Sequence, residues 1–163
     1  SEYGIFTSRG QLDASVFLGK SYTNIRPDLK LKTNQWYHVA MVYEGDALAL
    51  YLDGNLQERV QTKQTMKRKM NWFPFLVGAD PDSRGRANSF FNGEIDEVRL
   101  SKGVKYRKSF VPERRLKPDE NTVIFLDCDR SIGPFLIDRG PNGHYFRMTG
   151  DTHLLEVQDE DSQ

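Results

Sequence analysis

The residues whose types and spacing best suit chemistry are acidic. Glu94-Ile95-Asp96-Glu97 places three carboxyls within four positions. Two carboxylates about 5 Å apart carry out retaining glycoside hydrolysis, one as nucleophile and the other as acid/base. On a strand, side chains alternate between faces, so Glu94 and Asp96 share a face and Glu97 points to the other. The next position on the shared face is Val98, and after a bulge it is Arg99, so no second glutamate completes the pair. Asp80-Pro81-Asp82-Ser83 with Asn88 makes a second oxygen-rich segment. Two Asp separated by one residue suit a hard cation or a polar ligand. They also suit an ordinary turn in which Asp bonds its own backbone. Asp80, Asp82 and Asn88, with Trp72 and Tyr106 as rings for the apolar face of a sugar, are the candidate ligand-binding residues.

Other reactive side chains point to less. His38 lies in an apolar strand and reads as a core or interface histidine, while His144 and His153 have no Cys or carboxylate at metal-ligand spacing. The single cysteine, Cys128, cannot form an internal disulfide and ends an apolar run, as a small buried hydrophobe does. Lys63, Lys67, Arg68 and Lys69, then Lys102, Lys105, Arg107, Lys108, Arg114, Arg115 and Lys117, are two basic stretches. On one edge they would make a patch for sulfated or acidic glycans; otherwise they are a solvated face balanced by the acidic tail. Lys+Arg and Asp+Glu are both 23, and this zero net charge argues against a nucleic-acid partner. No apolar run approaches the ~20 residues needed to span a bilayer, so membrane insertion is not expected.

The elements that must position these groups are strands. Residues 35–60, QWYHVAMVYEGDALALYLDGNLQERV, read as antiparallel strands joined by Glu44-Gly45-Asp46 and by the hairpin dipeptide Asp53-Gly54. That hairpin sets Leu48, Leu50 and Leu52 on one face. Trp36 is large enough to fill the space between two sheets about 10 Å apart, and alternate side chains of residues 36–52 and 91–100 are expected to fill the interior. Further strands are expected over 3–9 and 15–19 around Arg9-Gly10, over 29–31, 71–78, 89–100, 122–128 and 144–148. Many short strands between turn signals, with no helical period, mean an antiparallel sandwich or barrel. One sandwich domain is expected over 1–155, followed by an acidic, frayed tail over 156–163. The chain opens at Ser1-Glu2-Tyr3 without Met and is expected to be part of a longer protein.

Three stretches carry a family resemblance. Trp36-Tyr37-His38-Val39-Ala40 is followed by Leu50-Tyr51-Leu52-Asp53-Gly54. Phe91-Asn92-Gly93-Glu94-Ile95-Asp96-Glu97-Val98-Arg99-Leu100 comes next, and then Tyr106, Phe110-Val111-Pro112 and residues 122–127. Together they resemble the laminin G-like branch of the concanavalin A-like lectin/glucanase superfamily. The resemblance implies an all-β, antiparallel two-sheet jelly-roll sandwich whose N-terminal strand pair is trimmed. Asp138-Arg139-Gly140-Pro141-Asn142-Gly143-His144 is similar to the start motif of such domains. Residues 131–150 therefore either complete this sandwich or begin another module. In related sandwiches an Asp in the setting of Asp96 helps hold a structural Ca²⁺, with Asp138 and Asn142 as further oxygen donors if the C-terminal motif folds back. The alternative for Asp96 is an ion pair with Arg99 or an arginine of a neighbouring strand.

The resemblance implies a non-catalytic module that binds a glycan or a protein within a larger secreted or cell-surface protein. The absence of disulfides favours a bacterial origin. Carbohydrate recognition or adhesion leads; a structural or protein–protein module is second; a glycoside hydrolase-fold enzyme is the remote third. The sequence does not fix the oligomeric state.

Overall fold

The computed structural model of the chain describes residues 2–62 and 72–155. The basic residues Lys63, Lys67, Arg68 and Lys69 and the acidic tail over 156–163 lie outside the described residues. No helix occurs among the described residues, and the strands form several antiparallel sheets, as the sequence implies. The chain divides into two compact units.

The first unit comprises Ser1–Gly93 and Val104–Pro112. Strands β1 (Tyr3–Ser8), β2 (Gln11–Phe17) and β3 (Tyr22–Ile25) form one meander. Strands β4 (Val39–Tyr43), β5 (Ala47–Leu52) and β6 (Asn55–Gln61) form a second. A short hairpin pairs β7 (Asp80–Pro81) with β8 (Ala87–Asn88). The Arg9-Gly10 and Asp53-Gly54 turns have positive φ at both central residues, which matches the right-handed twist of the strands they join.

Alternation builds the core. Leu12, Ala14, Val16, Leu18 and Ile25 of the first meander pack with Leu48, Leu50 and Leu52 of β5. Val39, Met41 and Tyr43, which lie opposite Leu52, Leu50 and Leu48, close the layer. The other face of β5 is also covered: Val42, Ala49 and Tyr51 pack under Val104, Tyr106 and Phe110. A strap, Val104–Pro112, thus buries the outer side of the second meander, and every residue of β5 is buried. The Tyr106 and Phe110 rings stack at 3.5 Å between centroids and 5° between planes. The Tyr51 hydroxyl donates to the Tyr106 carbonyl at 3.2 Å. Gly54 lets the strap approach: Phe110 N–H donates to its carbonyl at 2.8 Å, and a Cβ at Gly54 would collide with the Phe110 carbonyl.

Several expectations are corrected. Trp36 does not fill the inter-sheet space; it is 62% exposed, because pairing starts only at Val39 and the leucines of β5 already occupy the gap. Of residues 89–100 only those from Val98 onward pair, and Phe91 and Ile95 are exposed rather than interior. Gly93 makes room for the ring of its own neighbour Phe91, whose Cε1 and Cζ would lie 2.8 Å from an added Cβ. The described residues of 71–78 form no ladder, and Pro74 lacks the N–H a ladder would need. Residues 29–31 reduce to one bridge, Gln11 to Lys30.

The second unit comprises Glu94–Gly103 and Glu113–Gln163. Strand β9 (Val98–Ser101) pairs with β10 (Thr122–Leu126), and β11 (Ser131–Ile132), β12 (Phe135–Ile137) and β13 (Tyr145–Arg147) form a meander. Ile124, Phe125 and Leu126 are buried. The turn-rich segment after Cys128 therefore carries two further strands, and residues 131–147 share a unit with β9 and β10.

Candidate functional site

In β2, Leu12, Ala14 and Val16 face the core, so Asp13, Ser15 and Phe17 face outward. The ladder registers extend that outward face across the meander. Phe6 lies opposite Asp13, Gly4 opposite Ser15, Asn24 opposite Ser15 on the other side, and Tyr22 opposite Phe17. The β7–β8 hairpin brings Asp80 and Pro81 to the same face. A groove of about 590 Å³ results, lined by Phe6, Asp13, Ala14, Ser15, Asn24, Arg26 and Asp80. An adjoining hollow of about 410 Å³ shares Phe6, Ser15, Asn24 and Asp80 and adds Tyr22 and Pro81.

Contacts hold four of the groove's side chains, Asp13, Arg26, Phe6 and Tyr22. Arg26 grips Asp13 bidentately, Nε to Oδ1 and Nη2 to Oδ2 at 2.9 Å. This hydrogen bonding, then the charge of Asp13, raises the Arg26 guanidinium further above its ordinary value. The Phe6 ring leans along its strand over Gly4, where an added Cβ would come within 2.7 Å of Phe6 Cε2. Glycine at position 4 therefore leaves the space the ring occupies. The Tyr22 ring rests on Phe17, centroids 5.0 Å apart. The face thus offers aromatic rings at both ends of a strip of hydroxyl, amide, carboxylate and guanidinium groups. Such a surface packs the C–H face of a sugar and hydrogen-bonds its hydroxyls.

Among the five ligand-binding candidates from the sequence, Asp80 alone lines this groove. Asp82 builds the hairpin turn: Oδ1 accepts from Arg84 N–H at 2.8 Å and Arg86 N–H at 2.9 Å, and Oδ2 pairs with the Arg86 guanidinium. The backbone N–H of Arg86, then that of Arg84, hold its carboxyl below the usual range. Asn88 pairs with Asp80 through the backbone. Trp72 is 88% exposed, and Tyr106 belongs to the strap over Tyr51. Phe6, Asp13, Ser15, Tyr22, Asn24 and Arg26, which line the groove or its adjoining hollow, are candidates that sequence reasoning missed. The polar–apolar alternation of residues 11–17 marks their face, but nothing local indicates that residue 80 comes to lie against it.

The metal candidates lie in the second unit. Asp138 is buried, and its Oδ1 accepts from Phe125 N–H and Gly140 N–H, both at 2.8 Å. Its Oδ2 accepts from His144 N–H at 3.2 Å and meets His144 Nδ1 at 2.7 Å. Burial pushes this carboxyl up, but the donors of Phe125, the His144 ring, Gly140 and His144 N–H outweigh it and hold it below its ordinary value. Asn142 donates through Nδ2 to the Val123 carbonyl at 2.8 Å. Asp96 stands half exposed, 3.9 Å from Arg115, which also approaches Glu97 and Asp129. Asp96 thus faces Arg115, not Arg99. An ionised carboxylate has about four lone-pair positions, and at Asp138 all are directed at N–H donors. These residues as arranged do not fit a calcium site, which needs six to eight converging oxygens. Among the described residues no group of three or more His, Cys, Asp or Glu side chains is placed to hold a metal ion.

The carboxyls of 94–97 are not on a strand, and Glu97 Oε2 accepts from Leu116 N–H at 2.8 Å. Cys128 is half-buried with φ 54° beyond the end of β10. Burial, then the carboxylates Asp96, Asp127, Asp129 and Glu97, push its thiol up to about 11, far from a reactive thiolate. His38 sits edge-on to Phe110, with centroids 5.6 Å apart.

No curated protein and no solved structure matches the chain. A laminin G-like family model, described as the concanavalin A-like lectin/glucanases superfamily, matches residues 2–106. Domains of this kind bind carbohydrates or proteins, are typically non-catalytic and commonly occur in extracellular proteins. The match runs from β1 through β9 and covers most of the chain, which belongs to the concanavalin A-like lectin/glucanase superfamily.

Proposed function

We propose that this chain is a non-catalytic glycan-binding module of a secreted or cell-surface protein, and that the sugar sits on the outer face of β1–β2–β3. The observation that carries this reading is the groove itself. Ser15, Asn24 and the Asp13–Arg26 pair lie on one sheet face beside the Phe6 and Tyr22 rings. Hydroxyl-rich ligands need that pairing of flat apolar surface with planar hydrogen-bonding groups. A glycan array probed with the full chain identifies a binding sugar, and titration calorimetry measures it. Ser15→Trp fills the groove from an outward-facing position, and Asn24→Ala removes an amide. Each is expected to weaken binding about tenfold or more with the urea midpoint unchanged. Binding that survives Ser15→Trp at full strength refutes the assignment, as does an array with no sugar bound.

A protein ligand is the second reading. Trp72 and Phe90 of the first unit are 88% and 69% exposed, and large exposed aromatics are typical anchors of protein interfaces. A protein partner that is lost in Trp72→Ala but retained in Ser15→Trp would establish this reading instead.

A further inference from the structure

The placement of the aromatic rings narrows the ligand class, on the reading that the groove holds a sugar. Outward side chains of the first meander fall into rows across the ladder. Gly4, Ser15 and Asn24 form one row, and Phe17 and Tyr22 form the next, two residues along. Phe6 belongs to the row before, with Asp13. Its ring leans along β1 over Gly4, however, and so stands in the row of Ser15. Tyr22 is 49% exposed, with its ring against Phe17. Phe6 and Tyr22 line one hollow of about 410 Å³, with Ser15 and Asn24 next to them.

The two rings are too far apart for one sugar. Strands lie about 4.8 Å apart, and outward rows about 6.8 Å apart. Phe6 and Tyr22 sit on strands separated by β2, with their rings one row apart, so the rings stand roughly 10 Å from each other. A six-membered ring with bonds of about 1.5 Å measures only about 3 Å between opposite atoms. One sugar therefore covers one aromatic ring and leaves the other bare, whereas two or three linked sugars cover both. The neighbouring polar groups suit the hydroxyls of such a ligand. Among the described residues, neither the Ser15 hydroxyl nor the Asn24 side-chain amide has a hydrogen-bond partner. Both groups donate and accept.

We infer that the groove takes an extended oligosaccharide of at least two linked rings, one stacked on Phe6 and another on Tyr22, and holds a single sugar only weakly. The ligand's own linkage joins the two stacking contacts, so the second is made at high effective concentration once the first has formed. Affinity then rises steeply with ligand length until both rings are covered, and the gain stops there.

The test is titration calorimetry of the full chain with gluco-, galacto- and manno-oligosaccharides of one to six rings, with Ser15→Trp as the groove-blocked reference. In a series that binds, affinity is expected to rise at least about tenfold from one ring to three, and to change less than about twofold from four to six. Phe6→Leu and Tyr22→Leu keep an apolar side chain and remove the flat ring. Each alone should lower affinity for the four-ring ligand about tenfold and flatten the dependence on length. If Phe6→Leu lowers the urea midpoint, Tyr22→Leu at the more exposed ring carries the test. A single sugar that binds as tightly as the four-ring ligand, and is lost in Ser15→Trp, overturns the two-ring inference while keeping the glycan reading. So does a length dependence that survives Tyr22→Leu unchanged. A panel in which no sugar binds in a Ser15→Trp-sensitive way overturns both.

Discussion

Replacing Gly54 with alanine tests how the strap is held over the second meander, and Gly45 provides a matched control. The two glycines have nearly the same backbone, φ 74° and 76°. Their surroundings differ: an added Cβ at Gly45 meets nothing within 4 Å, whereas at Gly54 it collides with the Phe110 carbonyl and lies 2.9 Å from Pro112 Cδ. The left-handed conformation costs an L-residue about 1–2 kcal/mol, and alanine recovers about 0.4–1 kcal/mol by restricting the unfolded chain. Gly45→Ala should therefore destabilise by about 1 kcal/mol. Gly54→Ala carries the same backbone cost and also displaces the strap. The Phe110 N–H to Gly54 bond and the bond from Leu56 N–H to Ser109 Oγ at 3.0 Å are lost, each worth about 1 kcal/mol. Loosening the Tyr51–Tyr106–Phe110 packing adds about 1 kcal/mol. The expected total is about 4 kcal/mol, so the two variants should differ by about 3 kcal/mol. Urea unfolding followed by near-ultraviolet circular dichroism reads the aromatic cluster directly. Equal destabilisation by the two substitutions would refute the claim that Gly54 is the seat of the strap.

Further outcomes follow from the same geometry. Leu50→Ala should cost about 2–5 kcal/mol because Leu50 is fully buried between the meanders, whereas Leu56→Ala, at an exposed position, should cost under about 1 kcal/mol in chemical denaturation. The Asp138 carboxyl is held below its ordinary value, so its contribution is complete above the unfolded carboxyl range near 4 and is lost as pH falls through the lower folded value. The stability gap between the native chain and Asp138→Asn, measured from pH 7 downward, should stay constant to about pH 4 and then shrink; a gap that widens on acidification contradicts the arrangement of donors. Because the lone pairs of Asp138 are occupied by N–H groups, adding a chelator should leave the melting temperature unchanged. A fall of several degrees would reveal a bound cation stabilising the native state.

The legible parts of the fold are those where a local pattern has one physical solution. Asp53-Gly54 between apolar runs specifies a two-residue hairpin, and the strict period of two then places Leu48, Leu50 and Leu52 together. Arg9-Gly10 acts in the same way for β1 and β2. Reading failed where large apolar residues were assumed to be interior. Trp36, Phe91 and Ile95 look like core, yet Trp36 precedes the first paired residue of β4, and Phe91 and Ile95 precede the first of β9. Pairing, not hydrophobicity, decides where alternation begins, and pairing depends on a partner strand distant in sequence. Cys128 shows the same limit: its apolar run suggests a buried strand, but the strand ends at Leu126 and the cysteine takes a left-handed turn among acidic neighbours.

The sequence by itself determined the all-β class, the hairpins that order it and the family to which it belongs, because turn chemistry and side-chain alternation act over a few adjacent residues. Only the tertiary structure decided which polar groups meet. Asp13 and Arg26 lie 13 positions apart and Asp80 far beyond both, and they line one groove because two ladders and a distant hairpin carry them to a common face. Likewise, Asp138 resembles a cation ligand in sequence, yet the N–H groups of Phe125, Gly140 and His144 close around it. A carboxylate's role follows from what surrounds it in space, and that is set by the packing of segments that no short stretch of sequence contains.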